Sequence, residues 1–204
     1  MYVRHCVSLL LCLTFVVIAL RSLWVGTDYS FNNVDVYATL DSLTYSLGEN
    51  SITYFLAGGS ALGAARRGAV LKGDKDVDIY VVAYPEEVET ALWGFDWSYT
   101  DFGYHVHLKK TNFYFDIWLM QESDNMLKCV GAKGKCHLWE EKFDWKVEVP
   151  VGLVFPVRKH AFGGYLFNFP NDINAYLTYE FPDWQTKCGG WHFGTRPCTR
   201  DDFK

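Results

Sequence analysis

Asp74, Asp76 and Asp78 stand at i, i+2 and i+4, and a fourth acid, Asp116, lies inside the run Phe-Tyr-Phe-Asp-Ile-Trp-Leu. On a β-strand the first spacing puts three carboxylates on one face, while Val77 and Ile79 turn towards a core. Like charges so aligned repel unless a cation bridges them. Such a strand suits an ion that prefers oxygen ligands, Mg²⁺ or Mn²⁺. The plain alternative is a strand edge whose acids are solvated. Asp116 is the lone acid of an apolar strand, and buried acids need a charged partner. That partner is either His107, in a structural pair, or the ion held by Asp76 and Asp78.

A second motif, Gly58-Gly59-Ser60, follows an apolar run. Backbone amides at the start of a helix can cradle a phosphate, with Arg66, Arg67 and Lys72 supplying positive charge nearby. The alternative is a simple tight turn.

The elements that must position these residues are legible in part. Asn33 is placed to cap a helix with apolar positions Val36, Tyr37, Leu40, Leu43 and Leu47, stopped by Gly48. Residues 53–57 read as a strand, 61–67 as an Ala-rich helix ended by Gly68, and 77–84 as a β-branched strand. Pro85 opens a helix whose first turn carries Glu86 and Glu87. Residues 102–110 and 113–119 read as a hairpin closed by Thr111-Asn112, which sets His107 opposite Asp116. His105, His107, Tyr114, Asp116 and Trp118 then share a polar face, against an apolar face of Val106, Leu108, Phe113, Phe115, Ile117 and Leu119. Residues 122–148 read as an irregular loop, 149–155 as extended, and 171–181 as a last helix capped by Asn171. That order predicts an α+β fold with a mixed sheet.

With 50% hydrophobic and 18% aromatic residues in 204, the chain is neither disordered nor coiled-coil and suits one domain with a sizeable core. Its net charge of −5 makes nucleic acid a poor partner. The uncharged run 6–20, flanked by Arg4 and Arg21, reads as a signal anchor or a cleaved signal peptide within residues 1–26. Residues 27–204 would then form one domain in the secretory lumen. Cys129, Cys136, Cys188 and Cys198 are expected to pair as two disulfides in that oxidising compartment, with three connectivities open. The alternative is a zinc site built from these four cysteines, or with His137 in place of one, although the spacings C-x6-C-H and C-x9-C are not those of the tight C-x2-C knuckle.

The stretch Gly58-Gly59-Ser60-Ala61-Leu62-Gly63-Ala64-Ala65-Arg66-Arg67-Gly68, then Asp74-Lys75-Asp76-Val77-Asp78 and the third acid Asp116, resembles the nucleotidyltransferase fold. It resembles more closely the LicD/fukutin family in its fukutin-related branch, which carries G-G-[ST]-x-L-G-A-x-R-x-G and then W-D-x-D-x-D. Gly73 stands where that family has Trp. Phe162-Gly163-Gly164-Tyr165, Pro170-Asn171-Asp172 and Tyr176-Leu177 resemble its carboxy-terminal signature, so the resemblance spans about residues 50 to 182.

The resemblance implies a single nucleotidyltransferase-like domain, a mixed sheet flanked by helices. It implies a metal-dependent transfer of a substituted phosphate, of phosphocholine or polyol phosphate type, from a CDP-activated donor to a hydroxyl of a glycan or glycoprotein. Asp76, Asp78 and Asp116 would be catalytic, with Asp74 joining them around Mg²⁺ or Mn²⁺. Gly58, Gly59, Ser60, Arg66, Arg67 and Lys72 would bind the donor's phosphates, and Arg66 is read equally as the structural partner of an aspartate. The chain would face the Golgi or ER lumen, tied to the membrane by its N-terminal segment, or be secreted. Two other readings stand beside this one: a non-catalytic lumenal module that binds glycan or protein, and plain nucleotidyl transfer.

Overall fold

A computed structural model describes residues 33–133, 136, 147–189 and 196–203, of which those from Val34 onward hold together as one unit. The expected signal segment lies outside the described residues, and no described helix is long and apolar enough to cross a membrane. Helix α1 (Asn33–Glu49) buries Val36, Tyr37, Leu40, Leu43 and Leu47, the stripe its spacing requires, and runs one residue past Gly48.

The chain continues through β1 (Thr53–Leu56), α2 (Gly58–Arg67), β2 (Asp76–Val82), α3 (Pro85–Ala91), β3 (Trp97–Tyr99), β4 (Gly103–His107) and β5 (Tyr114–Ser123). Next come β6 (Met126–Cys129), β7 (Glu148–Pro150), α4 (Val151–Val154), β8 (Arg158–Phe162), β9 (Tyr165–Phe169) and α5 (Ile173–Glu180). The short strands β10 (Lys187–Cys188) and β11 (Arg196–Pro197) and a 3-10 turn at Arg200–Phe203 complete the described chain.

The main sheet runs β1-β2-β5-β4-β3, with β6 paired to the far end of β5 and β7 to β6. Among the described strands only β2 and β5 pair in parallel, joined by a crossover through α3, β3 and β4. Val77, Ile79 and Val81 of β2 and Phe115, Ile117 and Leu119 of β5 are fully buried on the core side. The opposite face therefore carries the even-numbered residues, including Asp76, Asp78 and Asp116.

Several expectations need correction. Asp74 precedes the strand rather than lying on it. The β4–β5 loop is four residues, 109–112, not two: Leu108 N–H donates to Phe113 O at 3.0 Å, and the Thr111 hydroxyl bridges both ends. The register moves by two residues, which keeps every side chain on its predicted face but sets His105, not His107, opposite Asp116. Within 122–148, Asp124 and Asn125 adopt left-handed backbone and close the β5–β6 hairpin, where an irregular loop was expected. Residues 134–135 and 137–146 of that stretch lie outside the described residues. Residues 151–154 form one helical turn, not a strand, because Pro150 presets the backbone ahead of it. Asp172 rather than Asn171 caps α5, its Oδ1 accepting from the N–H groups of Asn174 and Ala175 at 3.0 Å.

The Phe-Gly-Gly-Tyr motif is the turn of the β8–β9 hairpin, with Gly163 and Gly164 at φ 59° and 87°. Gly163 N–H donates to Gly68 O at 2.7 Å, and the Tyr37 hydroxyl accepts from Val70 N–H at 2.9 Å. The hairpin and α1 thus fix the turn between α2 and the acidic strand. Cysteines pair as Cys129–Cys136 and Cys188–Cys198.

Candidate active site

Asp78 is held from all sides. Its Oδ2 accepts from Gly59 N–H at 3.0 Å and its Oδ1 from Trp118 Nε1–H at 3.3 Å. Its own N–H donates to Ser60 Oγ at 2.8 Å, and its carbonyl accepts from Ala57 N–H at 3.1 Å. The two glycines are needed for close approach. A Cβ at Gly58 would stand 2.7 Å from Asp78 Oδ2 on a backbone of φ +48°, and one at Gly59 would stand 3.3 Å from Asp74 Oδ2. Gly58-Gly59-Ser60 is the first turn of α2 rather than a turn before it, and it spends its donors inward. Gly58 N–H goes to the Tyr176 hydroxyl at 3.0 Å and Gly59 N–H to Asp78, so these two amides are engaged within the chain.

Asp116 lies directly beside Asp78 in the parallel register. Its Oδ1 is 2.6 Å from His105 Nδ1. His107 contacts Ser98 Oγ at 3.0 Å instead. Asp74 returns to the cluster after the left-handed Gly73, and Asp76 sits two residues before Asp78 on the same face.

This crowding is visible in the proton affinities. Burial first, then Asp76, Asp116, Asp74 and Glu180, push the Asp78 carboxyl well above the usual range. Burial and then Asp76 push Asp74 up to about 8. Burial raises Asp116 against the pull of His105. A cation would relieve all three, and the donors are all oxygen, so the residues fit Mg²⁺ or Mn²⁺. Among the described residues no three His, Cys, Asp or Glu side chains stand in an arrangement that could hold a metal ion as they are, so the four acids would have to draw in around it.

The acids line one wall of a cleft of about 920 Å³. Arg67 and Lys72 are exposed at its rim. Arg66 reaches it too but is 9% exposed, and its Nη2 donates to the Trp184 carbonyl and to Lys187 O at 2.9 Å. Those bonds tie it to the far wall, with carbonyls in place of the expected aspartate, while its buried Nε has no hydrogen-bond partner. The far wall, with Trp184, Lys187 and Arg196, comes from the segment stapled by Cys188–Cys198. Sequence reasoning missed His105 as the Asp116 partner, Trp118 as a ligand of Asp78, and that wall. It also missed Glu180, whose only signal is an acid four residues after Tyr176 on the same helix.

A strand carrying paired acids beside a parallel neighbour, under the glycine-rich start of a helix, defines a nucleotidyltransferase-fold domain. The family model described as LicD/FKTN/FKRP, nucleotidyltransferase domain, matches residues 51–172, and the chain belongs to that family. Membership implies a transferase, of phosphotransferase type acting on glycans. Among solved structures the chain is similar to ANT(2'')-Ia in complex with adenylyl-2''-tobramycin, at 14% identity and TM-score 0.44 over 66% of this chain and 68% of that one. It is similar to the solution structure of the antibiotic-resistance factor ANT(2'')-Ia, at 15% identity and TM-score 0.44 over 64% and 62%. It is also similar to the lincomycin-bound lincosamide antibiotic adenylyltransferase LnuA, at 14% identity and TM-score 0.45 over 71% and 83%. No curated protein matches the chain.

Proposed function

We propose that the chain transfers a substituted phosphate, of phosphocholine or polyol phosphate type, from a CDP-activated donor to a glycan hydroxyl. The observation that carries this reading is the Asp78–Asp116 pair, side by side on one wall of the cleft with Asp76 and Asp74 adjoining. Asp76 and Asp78 would hold Mg²⁺ or Mn²⁺, with Asp74 and Asp116 adjoining. Bound there, the ion would neutralise charge on the donor's pyrophosphate.

The chain's own groups supply the rest. Arg67 and Lys72, free at the rim, draw the donor's phosphates in, while Arg66 stays committed to the far wall. Asp116, oriented by His105, accepts the proton of the attacking hydroxyl. The hydroxyl oxygen bonds to the phosphorus that bears the alcohol, the pyrophosphate P–O bond breaks, and CMP leaves. The two disulfides suit an oxidising compartment, and we place the domain in the secretory lumen, at the Golgi or ER membrane.

The test is to incubate the purified chain with CDP-choline, CDP-ribitol and CDP-glycerol, each with Mn²⁺ or Mg²⁺, and to measure CMP. Metal-dependent release from one donor is expected. No release from any of them, with donor and glycan still bound, moves a non-catalytic binding module ahead.

A further inference from the structure

Glu180 ends α5, beyond the residues that the family model matches, and the mechanism above does not use it. Its Oε2 is buried and makes no hydrogen bond of good geometry, although Tyr176, the Gly58 N–H and Tyr80 all approach the carboxylate and the residue lines the same cleft as Asp78. Leaving a buried carboxylate oxygen unpaired costs about 1–3 kcal/mol or more. An apolar side chain at the helix end would avoid that cost, so the position calls for an account.

The neighbours of Glu180 supply one. Tyr176 precedes it by four residues and so shares its helix face. Tyr176 is 1% exposed, and its hydroxyl accepts from Gly58 N–H at 3.0 Å. A hydroxyl that accepts there still has its own hydrogen to place. The charge of Glu180 lies close enough to hold that hydrogen on Tyr176, and likewise on Tyr80. Tyr80 stands two residues beyond Asp78 on the same face of β2, and its register partner is Trp118, the residue that donates to Asp78 Oδ1. The two tyrosines therefore join Glu180 to both sides of the Asp78 carboxylate: to the glycine turn that holds Oδ2, and to the tryptophan that holds Oδ1.

We infer that Glu180 is a positioning residue for Asp78, acting through Tyr176 on the Gly58–Gly59 turn and through Tyr80 beside Trp118. The turn has little freedom to absorb a shift, because Gly59 N–H donates to Asp78 Oδ2 and even a Cβ at Gly58 would stand only 2.7 Å from that oxygen. Loss of the acid frees the Tyr176 hydroxyl, loosens the Gly58 N–H, and lets the catalytic carboxylate drift. Misplacements of this kind lower turnover by about ten- to a hundredfold without removing any group that touches substrate. The catalytic part of this inference rests on the transferase reading, whereas the positional part does not.

The experiment separates the two. The full chain is labelled with 5-fluorotryptophan, and the Trp118 resonance is assigned by its loss in Trp118→Phe. Glu180→Gln and Tyr176→Phe are each expected to move that resonance while the circular dichroism spectrum stays native, and Glu180→Asp to restore it in part. In the activity assay both should lower kcat by about tenfold or more and leave the donor KM within about twofold. An unmoved Trp118 resonance in both variants overturns the inference even if the chain has no transferase activity. A raised donor KM at unchanged kcat overturns it as well, since it would make Glu180 a binding group. Where Glu180→Gln does not fold, Tyr176→Phe decides alone.

Discussion

Asp78 accepts hydrogen bonds from Gly59 and Trp118 and has Asp116 alongside, so its carboxylate is well placed and poorly solvated at once. Asp78→Asn keeps the shape and removes the charge. One amide end then faces a protein donor and forfeits a hydrogen bond of about 1 kcal/mol. Relief of repulsion from four neighbouring acids, Asp76, Asp116, Asp74 and Glu180, offsets that loss. The melting temperature without metal is expected to hold or rise, the stabilisation on adding Mn²⁺ to shrink, and CMP release to vanish. Full activity in this variant would remove Asp78 from the machinery. The same crowding gives a pH dependence. Glu180 is raised from 4.5 to about 7 and Asp74 from 3.8 to about 8, so between those values the folded protein binds protons that the unfolded chain releases. The stability associated with these groups is complete below the unfolded values and is lost as pH rises through the folded ones. Denaturation in EDTA should therefore show stability falling from about pH 5 to pH 8, and Mn²⁺ should flatten the slope. A rise over that range would contradict the burial of these acids.

At the scale of elements, the β8–β9 turn carries the sharpest steric test. A Cβ at Gly163 would stand 2.2 Å from the Tyr37 ring on a backbone of φ +59°. Gly163→Ala should cost about 2–4 kcal/mol in strain and overpacking and lower the melting temperature by about 5–10 °C. An unchanged midpoint in thermal denaturation would show that α1 and the hairpin do not meet as described. Which elements were legible follows from the same physics. The α1 stripe was, because every apolar residue at i, i+3 and i+4 spacing had one face to bury. The acidic face of β2 was, because alternation survives any error in strand ends. The partner of Asp116 was not: the Thr111 hydroxyl makes a four-residue loop as good as a two-residue turn, and local sequence does not choose between them. Parity alone was robust, and so His105 was placed on the right face with the wrong opposite number. The packing of Gly58 and Gly59 against Asp78 was not legible, because a glycine required for close approach looks the same whether a phosphate approaches or a carboxylate of the same chain. The β8–β9 hairpin was named as a motif without its geometry, since its purpose is a contact with Tyr37, 126 positions earlier by residue number.

Across the whole molecule, the cleft is closed by a segment that the family match does not include. The Cys188–Cys198 bond and the Arg66 donations hold it against α2. Replacing both cysteines by serine should lower stability by about 2–3 kcal/mol in denaturant titration, the range for a short loop, and raise the donor KM as the wall loosens. An unchanged KM would make the wall a bystander. Mass spectrometry without reductant should find the Cys129–Cys136 and Cys188–Cys198 peptides linked. The Arg66 donations also bear on how the chain is made. Arg66 finds its carbonyls 118 and 121 residues downstream, at Trp184 and Lys187. A ribosome working from the N-terminus releases the glycine-rich helix and the acidic strands long before those acceptors exist. Until then the guanidinium has no such partners and must stay in water. The far wall of the cleft therefore closes only after the tail is made, and a nascent chain stalled before Trp184 should leave Arg66 hydrated and that side of the cleft open.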